Sequence, residues 1–373
     1  MINQKKVSKS KIQVCYLLSY KQPNYTRTAS LISALEDMPA TELTVIRNTS
    51  KGVARYWQTI SGLIRYRRHH KPDVFIVGFR AQEIFWAFYP FMRGSRIIFD
   101  EFVNHHDWIV EEHKKFGPFS GFLSALLNMY MRWVVRRCEY VLADTEAHAS
   151  LSRHLYHLSA DKVRAVPVGA DESLFKPLPA KPSGSKDLEV IFYGNMLPLH
   201  GLEVIMAAIK QLKTEPIHFT LIGGRGKPKM IRKVQDFIKT NELQGRVTYH
   251  TWIDTEKLPA LIARSDVCLG GPFGGTSQSG RVVTGKTYQF LAMAKPTIIG
   301  QNDAGFHFQD KLNSIVVPQK DPSALAAALK WCLDHKSKLP EIGRQGRDIY
   351  ERELSVESIK KILGGLLTES SDG

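Results

Sequence analysis

A glycine-rich stretch near residue 275 of this 373-residue chain carries the groups best suited to holding a diphosphate. It combines small residues, whose backbone N–H groups are accessible, with two hydroxyls and two cations. Such groups bind phosphate oxygens through N–H donors and charge-assisted hydrogen bonds. The residues are Gly274, Gly275, Thr276, Ser277, Arg281 and Lys286. A flexible loop before a buried helix is the structural alternative, but the density of small and cationic residues favours a diphosphate site.

An amide lies next to these cations. Gln289 follows Lys286 by three residues, so the two side chains face the same side of the helix predicted to begin there. An amide at that place is suited to neutral hydroxyls, such as those of a ribose.

A second glycine turn, Tyr-Gly-Asn-Met-Leu-Pro-Leu-His-Gly at residues 193–201, joins a predicted strand to a predicted helix. Gly194 permits close backbone approach, and the positive end of the helix that starts near Gly201 suits a phosphate. His200 adds a donor if it is protonated. An ordinary strand-to-helix turn explains the same residues, so this motif is weak alone. The glycine turn at residues 221–226 lacks the GxGxxG pattern and gives little support for a nicotinamide dinucleotide.

Short apolar runs alternate with helix-length amphipathic segments along the chain. This alternation predicts an α/β fold with parallel sheets covered on both faces. Residues 177–186, rich in proline, predict a linker between a domain at residues 1–176 and a domain at residues 187–345. Residues 346–373 form the predicted helical tail. Two such domains place a ligand in the cleft that faces the carboxyl ends of both sheets.

At these motifs the chain resembles the retaining glycosyltransferases of family 4, which have the GT-B fold of two facing Rossmann-like domains. Residues 194–201 resemble the family's loop at the donor diphosphate, and residues 286–296, KTYQFLAMAKP, resemble its signature helix. Residues 166–171, VPVGAD, resemble the motif before the linker, and residues 343–354 resemble the tail helix that crosses back to the first domain. The resemblance implies an acceptor-binding first domain, a nucleotide-sugar-binding second domain, a nucleotide diphosphate sugar as co-substrate, no cofactor and no metal.

Four positions depart from the family's motifs. Asn195 and His200 replace the Arg and Lys of the first loop, while Arg281 and Gln289 replace the two glutamates of an E-x7-E motif. An amide at position 289 still bonds ribose hydroxyls, and Arg281 with Lys286 offsets the missing cations. The catalytic work expected of Arg281 and Lys286 is to hold the leaving diphosphate and stabilise its developing charge.

Two loops of the first domain are candidates for the acceptor and for catalysis. Asn24 and Arg27 lie where the family has its first strand-to-helix loop, and are expected to reach an acceptor or the diphosphate. Asp100 and His106 follow the fourth predicted strand, where the family places a cleft-facing histidine. Two histidines and three carboxylates lie within residues 100–108, but no matching ligands appear elsewhere, so we do not expect a metal site.

The net charge of +15 is concentrated in the first 99 residues, where 16 Lys and Arg stand against 5 Asp and Glu. Such a charge suggests an anionic partner, and a solvated basic face that aids solubility is an equal alternative. Residues 54–69 interleave arginines with Trp57 and other apolar residues, which fits the edge of an anionic bilayer. The arginines are Arg55, Arg65, Arg67 and Arg68. A packed helix with a basic polar face is the alternative, and the pattern slightly favours it. Residues 119–137 are a similar second candidate. The absence of a nucleic-acid-reading motif argues against a nucleic acid partner.

The N-terminal segment lacks the apolar core and cleavage site of a signal peptide, and no run of 18 uninterrupted apolar residues occurs. Four scattered cysteines share no metal-ligand spacing and are expected to be reduced. We therefore expect a cytoplasmic protein, with a peripheral position on the inner face of the cell membrane as an option.

The hypothesis from the sequence is a glycosyltransferase that moves a sugar from a nucleotide diphosphate sugar to a hydroxyl acceptor with retention of configuration. Polysaccharide or glycolipid biosynthesis, with a lipid-linked acceptor, is the context it suggests. The strand end at Trp252 is expected to line the nucleotide base. Two alternatives stay open: a catalytically silent GT-B protein, because the glutamates are missing, and a sugar-nucleotide epimerase, which would need an acidic pair in the cleft.

Overall fold

The computed structural model describes residues 11–20, 25–104, 120–179 and 187–369. Two domains follow each other along the chain, and each is built on a six-stranded parallel sheet with helices on both faces. The α/β class predicted from the alternation of apolar and amphipathic segments is confirmed.

The N-terminal sheet lies inside its domain because central strands such as β3 are apolar on both faces. Its strands are β1 (Ile12–Leu18), β2 (Thr41–Arg47), β3 (Val74–Val77), β4 (Arg96–Asp100), β5 (Tyr140–Ala143) and β6 (Val163–Ala165). They lie in the order β2-β1-β3-β4-β5-β6, with every neighbouring pair parallel. All four residues of β3 are buried, as expected where helices cover both faces.

Helices cover the two faces of this sheet unequally. They are α1 (Thr26–Glu36), α2 (Ala54–Arg67), α3 (Phe85–Met92), α4 (Ser120–Val135) and α5 (Glu146–Tyr156). One face carries α2, α3, α4 and α5, which share a core with Phe75 and Val141. The other face carries α1, which packs through Leu31 and Leu35.

The C-terminal sheet repeats this plan. Its strands are β7 (Leu188–Tyr193), β8 (Ile217–Ile222), β9 (Val247–His250), β10 (Val267–Leu269), β11 (Thr297–Gly300) and β12 (Ile315–Val317). Their order is β12-β11-β10-β7-β8-β9. The helices are α6 (Leu202–Gln211), α7 (Pro228–Thr240), α8 (Leu258–Arg264), α9 (Gly285–Ala292) and α10 (Pro322–Asp334). Because the strands are parallel, the loops that follow β7, β8, β9 and β10 meet at one edge of the sheet.

The predicted helical tail at residues 346–373 takes in the end of one helix and a second helix. The helix α11 (Leu339–Ile349) runs into one wider turn, and α12 (Val356–Thr368) then begins at Ser355. The hydroxyl of Ser355 accepts from the backbone N–H of Ser358 at 3.1 Å, which is an N-cap and fixes the break. The helix α12 packs against the α1 face of the N-terminal domain.

Direct hydrogen bonds join the carboxyl edge of the N-terminal sheet to the C-terminal domain. The Thr145 hydroxyl, just after β5, donates to the carbonyl of Arg281 at 2.5 Å. The N–H of Glu146 donates to the carbonyl of Ala304 at 3.2 Å. The loops at the ends of the parallel strands are therefore the part of the N-terminal domain that meets the C-terminal domain.

None of the helices in the described ranges has both the length and the apolar character needed to cross a bilayer.

Candidate functional site

Gly194 keeps a space open at the end of β7. Its φ angle is +153°, which lies in the region that disfavours side chains. A Cβ atom at this position would lie 3.0 Å from Cε1 of His200 and 3.9 Å from Nζ of Lys286. The glycine thus leaves room for a ligand atom between an imidazole and an ammonium group.

Lys286 is the most unusual cation of the site. It lies in the first turn of α9, and only 6% of its surface is exposed. Within the described residues no carboxylate pairs with it, and its Nζ lies 5.1 Å from the centroid of the Phe192 ring. Burial lowers its pKa to about 7, because the charged form loses its hydration. An anion next to Nζ would restore the charged form.

His200 belongs to the same cluster, but not as the protonated donor that the sequence suggested. Burial, together with the charges of Lys286 and Lys227, holds its pKa well below the ordinary value. The ring is therefore neutral, so the protonation on which its role as a cationic donor depended is absent. Its Nδ1 atom is buried and has no hydrogen-bond partner, so a ligand oxygen or N–H group could occupy that direction.

Lys227 is a cation that the sequence reasoning missed. Its Nζ donates to the carbonyl of Asn195 at 2.7 Å, so the loop after β8 contacts the loop after β7. The side chain of Asn195 is exposed. The signal for Lys227 was present, because a cation follows the Gly-Gly-Arg-Gly turn at the start of α7.

The backbone N–H groups of Gly274 and Gly275, in the loop of residues 270–281, do not have the phosphate-binding role expected of them. The N–H of Gly274 donates to the carbonyl of Leu199, and the N–H of Gly275 donates to the Gln319 side chain, both at 3.0 Å. These two N–H groups are consequently not free for a phosphate. A Cβ atom on Gly274 would lie 2.1 Å from the Pro198 carbonyl oxygen, so the glycine is needed for loop-to-loop packing.

Of the two hydroxyl groups expected to bind phosphate, one stabilises the loop itself and the other is exposed to solvent. The Thr276 hydroxyl accepts from the N–H of Ser279 at 3.1 Å, within a tight turn. Ser277 is exposed. Arg281 is half-buried and lies at the contact between the two domains, where its carbonyl accepts from Thr145.

Gln289 lies one turn along α9 from Lys286 and meets the end of β7. Its side-chain oxygen accepts a short hydrogen bond from the Tyr193 hydroxyl. This contact turns the amide nitrogen away from Tyr193, so Gln289 can donate to a hydroxyl oxygen. Tyr193 is a further residue that the sequence did not single out.

Trp252 lies beyond β9, two strands away from β7. Half of the side chain is exposed, and the guanidinium of Arg225 lies 4.7 Å from its ring centroid. It borders a cavity of about 460 Å³ together with His250 and Arg264. An aromatic ring and a planar cation that stack in this way suit a nucleotide base.

Asp100 and Arg27 do not face a cleft, contrary to their expected catalytic and acceptor-binding roles. Both side chains are fully buried, and the Arg27 guanidinium contacts Asp100 Oδ1 at 2.8 Å. Arg27 also donates to the carbonyls of Val166 and Pro167, the latter at 2.7 Å. This ion pair holds the segment after β6 against α1 and β4, which is a structural role.

Two other expected residues, Asn24 and His106, lie outside the described residues. Across the described ranges, no group of three His, Cys, Asp or Glu side chains is arranged to hold a metal ion. A buried pair does occur at the end of β5, where Asp144 Oδ1 lies 2.7 Å from Nδ1 of His148.

Both domains match known protein families. Residues 187–335 match the family model described as glycosyl transferases group 1, and residues 31–174 match the model described as Glycosyltransferase Family 4. This is the architecture of a GT-B glycosyltransferase. The GT-B chain is also 24% identical over 146 residues to the D-inositol 3-phosphate glycosyltransferase of Xylanimonas cellulosilytica. That alignment covers 36% of this chain and spans only about a third, 35%, of the curated relative.

Solved structures share the whole GT-B architecture. Anabaena Alr3699/HepE in complex with UDP-glucose aligns over 96% of this chain and 100% of its own, with a TM-score of 0.72 and 12% identity. Sucrose-phosphate synthase from Thermosynechococcus elongatus aligns over 95% of this chain and 98% of its own, with a TM-score of 0.70 and 16% identity. At these identities the likeness establishes the fold, and the GT-B fold class predicted from the sequence is confirmed.

Proposed function

We propose that the chain transfers a sugar from a nucleotide diphosphate sugar to a hydroxyl acceptor with retention of configuration. The observation that carries this proposal is the buried Lys286, without a carboxylate partner among the described residues, beside the space that Gly194 leaves open. A buried ammonium without an anion is unfavourable, and a diphosphate supplies the missing anion. The family matches of both domains support a transferase that uses such a donor.

The proposed chemistry is charge stabilisation of a leaving group. When the bond between the sugar's anomeric carbon and the diphosphate oxygen breaks, its electron pair stays on that oxygen. The new bond to the acceptor oxygen forms on the same face of the sugar, and the acceptor proton is released. Lys286, at the N-terminal turn of α9, is suited to stabilise the negative charge that develops on the diphosphate.

Further contacts of the donor are assigned from the same geometry. Gln289, held by Tyr193, would donate to a ribose hydroxyl, and Trp252 with Arg225 would stack on the base. Arg281 would approach the sugar or the diphosphate from the contact between the domains. Retention and independence from metal ions follow from the family resemblance. We place the reaction on the cytoplasmic side, in polysaccharide or glycolipid biosynthesis.

The test has a binding part and a turnover part. Calorimetry with UDP, GDP and ADP is expected to find a ligand that binds the wild type and binds Lys286→Met at least tenfold more weakly, as for the loss of one charge-assisted bond. Lys239→Met, which changes an exposed lysine on α7, is the matched control and should bind as the wild type. Equal affinity of Lys286→Met and the wild type would remove the diphosphate assignment.

Turnover separates the proposed function from its alternatives. The corresponding nucleotide sugars are incubated with and without hydroxyl acceptors in the presence of a chelator, and the anomeric configuration of the product is read by NMR. Sugar transfer or slow donor hydrolysis with retention supports the proposal. Conversion of one nucleotide sugar into its epimer would indicate an epimerase, and binding with no reaction would indicate a catalytically silent protein.

A further inference from the structure

Exposed apolar side chains are concentrated on one side of the N-terminal domain. Within the described ranges, ten large hydrophobic residues are exposed, and six of them lie on α3, on α4, or on α2 and the residue before it. They are Val53, Trp57, Trp86, Phe122, Leu126 and Met129. Single exposed hydrophobic residues are normal, but a group that includes two tryptophans and a phenylalanine indicates an interaction surface.

Direct bonds hold the three helices side by side. The guanidinium of Arg55 on α2 contacts the Glu83 carboxylate, just before α3, at 2.9 Å. At the other end of α2, Nε of Arg67 donates to the carbonyl of Phe91 on α3 at 2.7 Å. The α2 and α3 helices therefore run in the same direction.

The third helix is fixed in the same way. The Tyr130 hydroxyl on α4 donates to the carbonyl of Gln82 at 2.6 Å, and the ring of Trp133 lies 5.6 Å from that of Phe85. The three helices thus form one layer, in which the C-terminal half of α4 lies beside the start of α3. We call the solvent side of this layer, formed by α2, α3 and α4, the three-helix surface.

Each of the three helices carries an exposed apolar residue that is followed, seven or eight positions later, by an exposed arginine, which lies on α2 itself and just beyond the C-terminus of α3 and of α4. The pairs are Trp57 with Arg65, Trp86 with Arg93, and Met129 with Arg136. At about 1.5 Å per residue, seven or eight positions correspond to about 10–12 Å along the helix. The three helices contain no Asp or Glu. Cations at helix C-termini also stabilise the helix dipole, but that role does not require exposed tryptophans.

We propose that the three-helix surface binds an anionic phospholipid bilayer. Apolar groups of interfacial helices sink about 5–10 Å below the headgroup boundary, while cations remain at the lipid phosphates. On α2 and α3 the separation along the helix is long enough for Trp57 and Trp86 to enter the boundary while Arg65 and Arg93 stay at the phosphates. Because the three helices carry no carboxylates, they do not repel the negatively charged lipid surface.

The orientation of the bound protein follows from the fold. Because α2 and α3 each follow a parallel strand, their N-terminal ends lie at the carboxyl edge of the sheet, the edge that meets the C-terminal domain. The apolar end of the surface is therefore nearest to the cleft. This consequence rests on the proposed function: the acceptor would be a lipid whose hydroxyl enters the cleft from the bilayer.

The sequence suggested two separate candidates, the helix at residues 54–69 with its four arginines and, second to it, residues 119–137. Arg55 forms an ion pair with Glu83, and Arg67 donates hydrogen bonds to the carbonyls of Phe91 and His70. The other two, Arg65 and Arg68, are exposed. The structure adds α3 to these two candidates and places all three helices in one layer.

The experiment is vesicle co-sedimentation with two triple variants. The first, Trp57→Ser, Trp86→Ser and Met129→Ser, removes the apolar contacts, and the second, Arg65→Ser, Arg93→Ser and Arg136→Ser, removes the cations. The matched control changes three exposed cations of the C-terminal half, Arg232→Ser, Lys239→Ser and Lys338→Ser. The vesicles contain either phosphatidylcholine alone or phosphatidylcholine and phosphatidylglycerol in equal parts. A folded state is checked for every variant by thermal melting.

The wild type and the control are expected to sediment with phosphatidylglycerol vesicles at about 50 mM salt, and at least tenfold less at about 500 mM, where charges are screened. Both triple variants are expected to lose at least tenfold in affinity. No binding of the wild type at low salt, or equal binding of the variants, would overturn the proposal. The proposal would also be overturned if the wild type did not bind vesicles but self-associated, and if the apolar triple variant were monomeric. That result would make the three-helix surface an interface between copies of the chain.

Nucleoside diphosphate affinity, measured on the same variants, keeps the two proposals separate. Both triple variants should retain it, since the changed residues lie outside the donor site. Vesicle binding without nucleotide binding by the wild type would contradict the proposed function and leave the three-helix surface supported.

Discussion

Gly194 and Lys286 face each other across a gap at the carboxyl end of β7, where a Cβ atom on the glycine would lie 3.9 Å from the lysine Nζ. The two residues are far apart in the chain, but the parallel sheet brings the end of β7 and the start of α9 to one place. The same Cβ atom would lie 3.0 Å from the ring of His200. A space bordered by a buried ammonium and a neutral imidazole is suited to one oxygen-rich anion.

Gly194→Ala should abolish nucleoside diphosphate binding. The added methyl group fills the gap beside Lys286, and the φ angle of +153° strains any L side chain, at about 1–3 kcal/mol. Calorimetry with the ligand and thermal melting measure the two effects. Gly365→Ala is the control, since a Cβ there meets nothing within 4 Å and the residue lies in α12. Full affinity of Gly194→Ala would show that the diphosphate binds elsewhere.

Nucleoside diphosphate affinity should decrease as the pH rises above about 7. Burial lowers the pKa of Lys286 to about 7, so the free protein loses this proton above neutral pH, whereas the complex needs the ammonium. The dissociation constant should therefore rise up to tenfold per pH unit between about pH 7.5 and 9. Lys286→Arg, which stays charged, is expected to give a flat profile. A flat wild-type profile would contradict the role of this titration.

Lys286→Met should stabilise the ligand-free protein at low pH and not at high pH. The pKa of Lys286 is lowered on folding, so the unfolded chain binds this proton more readily between about pH 7 and 10.5. The buried ammonium therefore lowers the free energy of unfolding of the wild type by its full amount below about pH 7. This destabilisation decreases as the pH rises from about 7 to 10.5. Urea unfolding at pH 6.5 and 9.5 measures the difference, expected to be on the order of a few kcal/mol at the lower pH. An equal difference at both values would contradict the buried ammonium.

Gln289→Ala should weaken nucleoside diphosphates more than inorganic diphosphate. Gln289 is assigned to the ribose, so its loss leaves the phosphate contacts in place. A reduction of about 1 kcal/mol, or roughly fivefold, is expected for one neutral hydrogen bond. Tyr193→Phe removes the bond that orients the amide and should have a smaller effect of the same kind. Equal losses for both ligands would place Gln289 at the phosphates.

Asp100→Asn should destabilise the protein without changing nucleoside diphosphate affinity. It leaves the Arg27 guanidinium buried without its ion pair, which costs about 3–5 kcal/mol in comparable cases. The double variant Arg27→Met with Asp100→Leu should recover part of that loss, because it removes both charges. Urea unfolding and calorimetry test the two statements. An unchanged stability of Asp100→Asn would contradict the structural role.

The parts of the site that the sequence predicted are those that depend on local patterns. A glycine after an apolar strand, a helix that starts with a lysine and the alternation of strands and helices are all visible within short windows. They suffice to bring Gly194 and Lys286 to the same edge of a parallel sheet. The same alternation, repeated in two halves, predicts two parallel-sheet domains, and the family resemblance implied their GT-B arrangement.

The parts that the sequence did not predict depend on contacts between distant residues. Arg27 and Asp100 are 73 positions apart, and nothing in either loop indicates that they neutralise each other in the core. The N–H of Gly275 is used by Gln319, 44 positions later, so composition alone overestimated the number of free donors. The neutral state of His200 likewise depends on its burial beside two lysines.

The most direct test of the account is the ionisation of Lys286 itself. NMR titration of lysine side-chain carbons, with Lys286→Arg used to assign the signal, measures its pKa in the free protein and with a saturating nucleoside diphosphate. The account predicts a pKa of about 7 without ligand and a rise of at least one unit with it. An ordinary pKa in the free protein, or no change on binding, would contradict the assignment of the donor diphosphate to the space between Gly194 and Lys286.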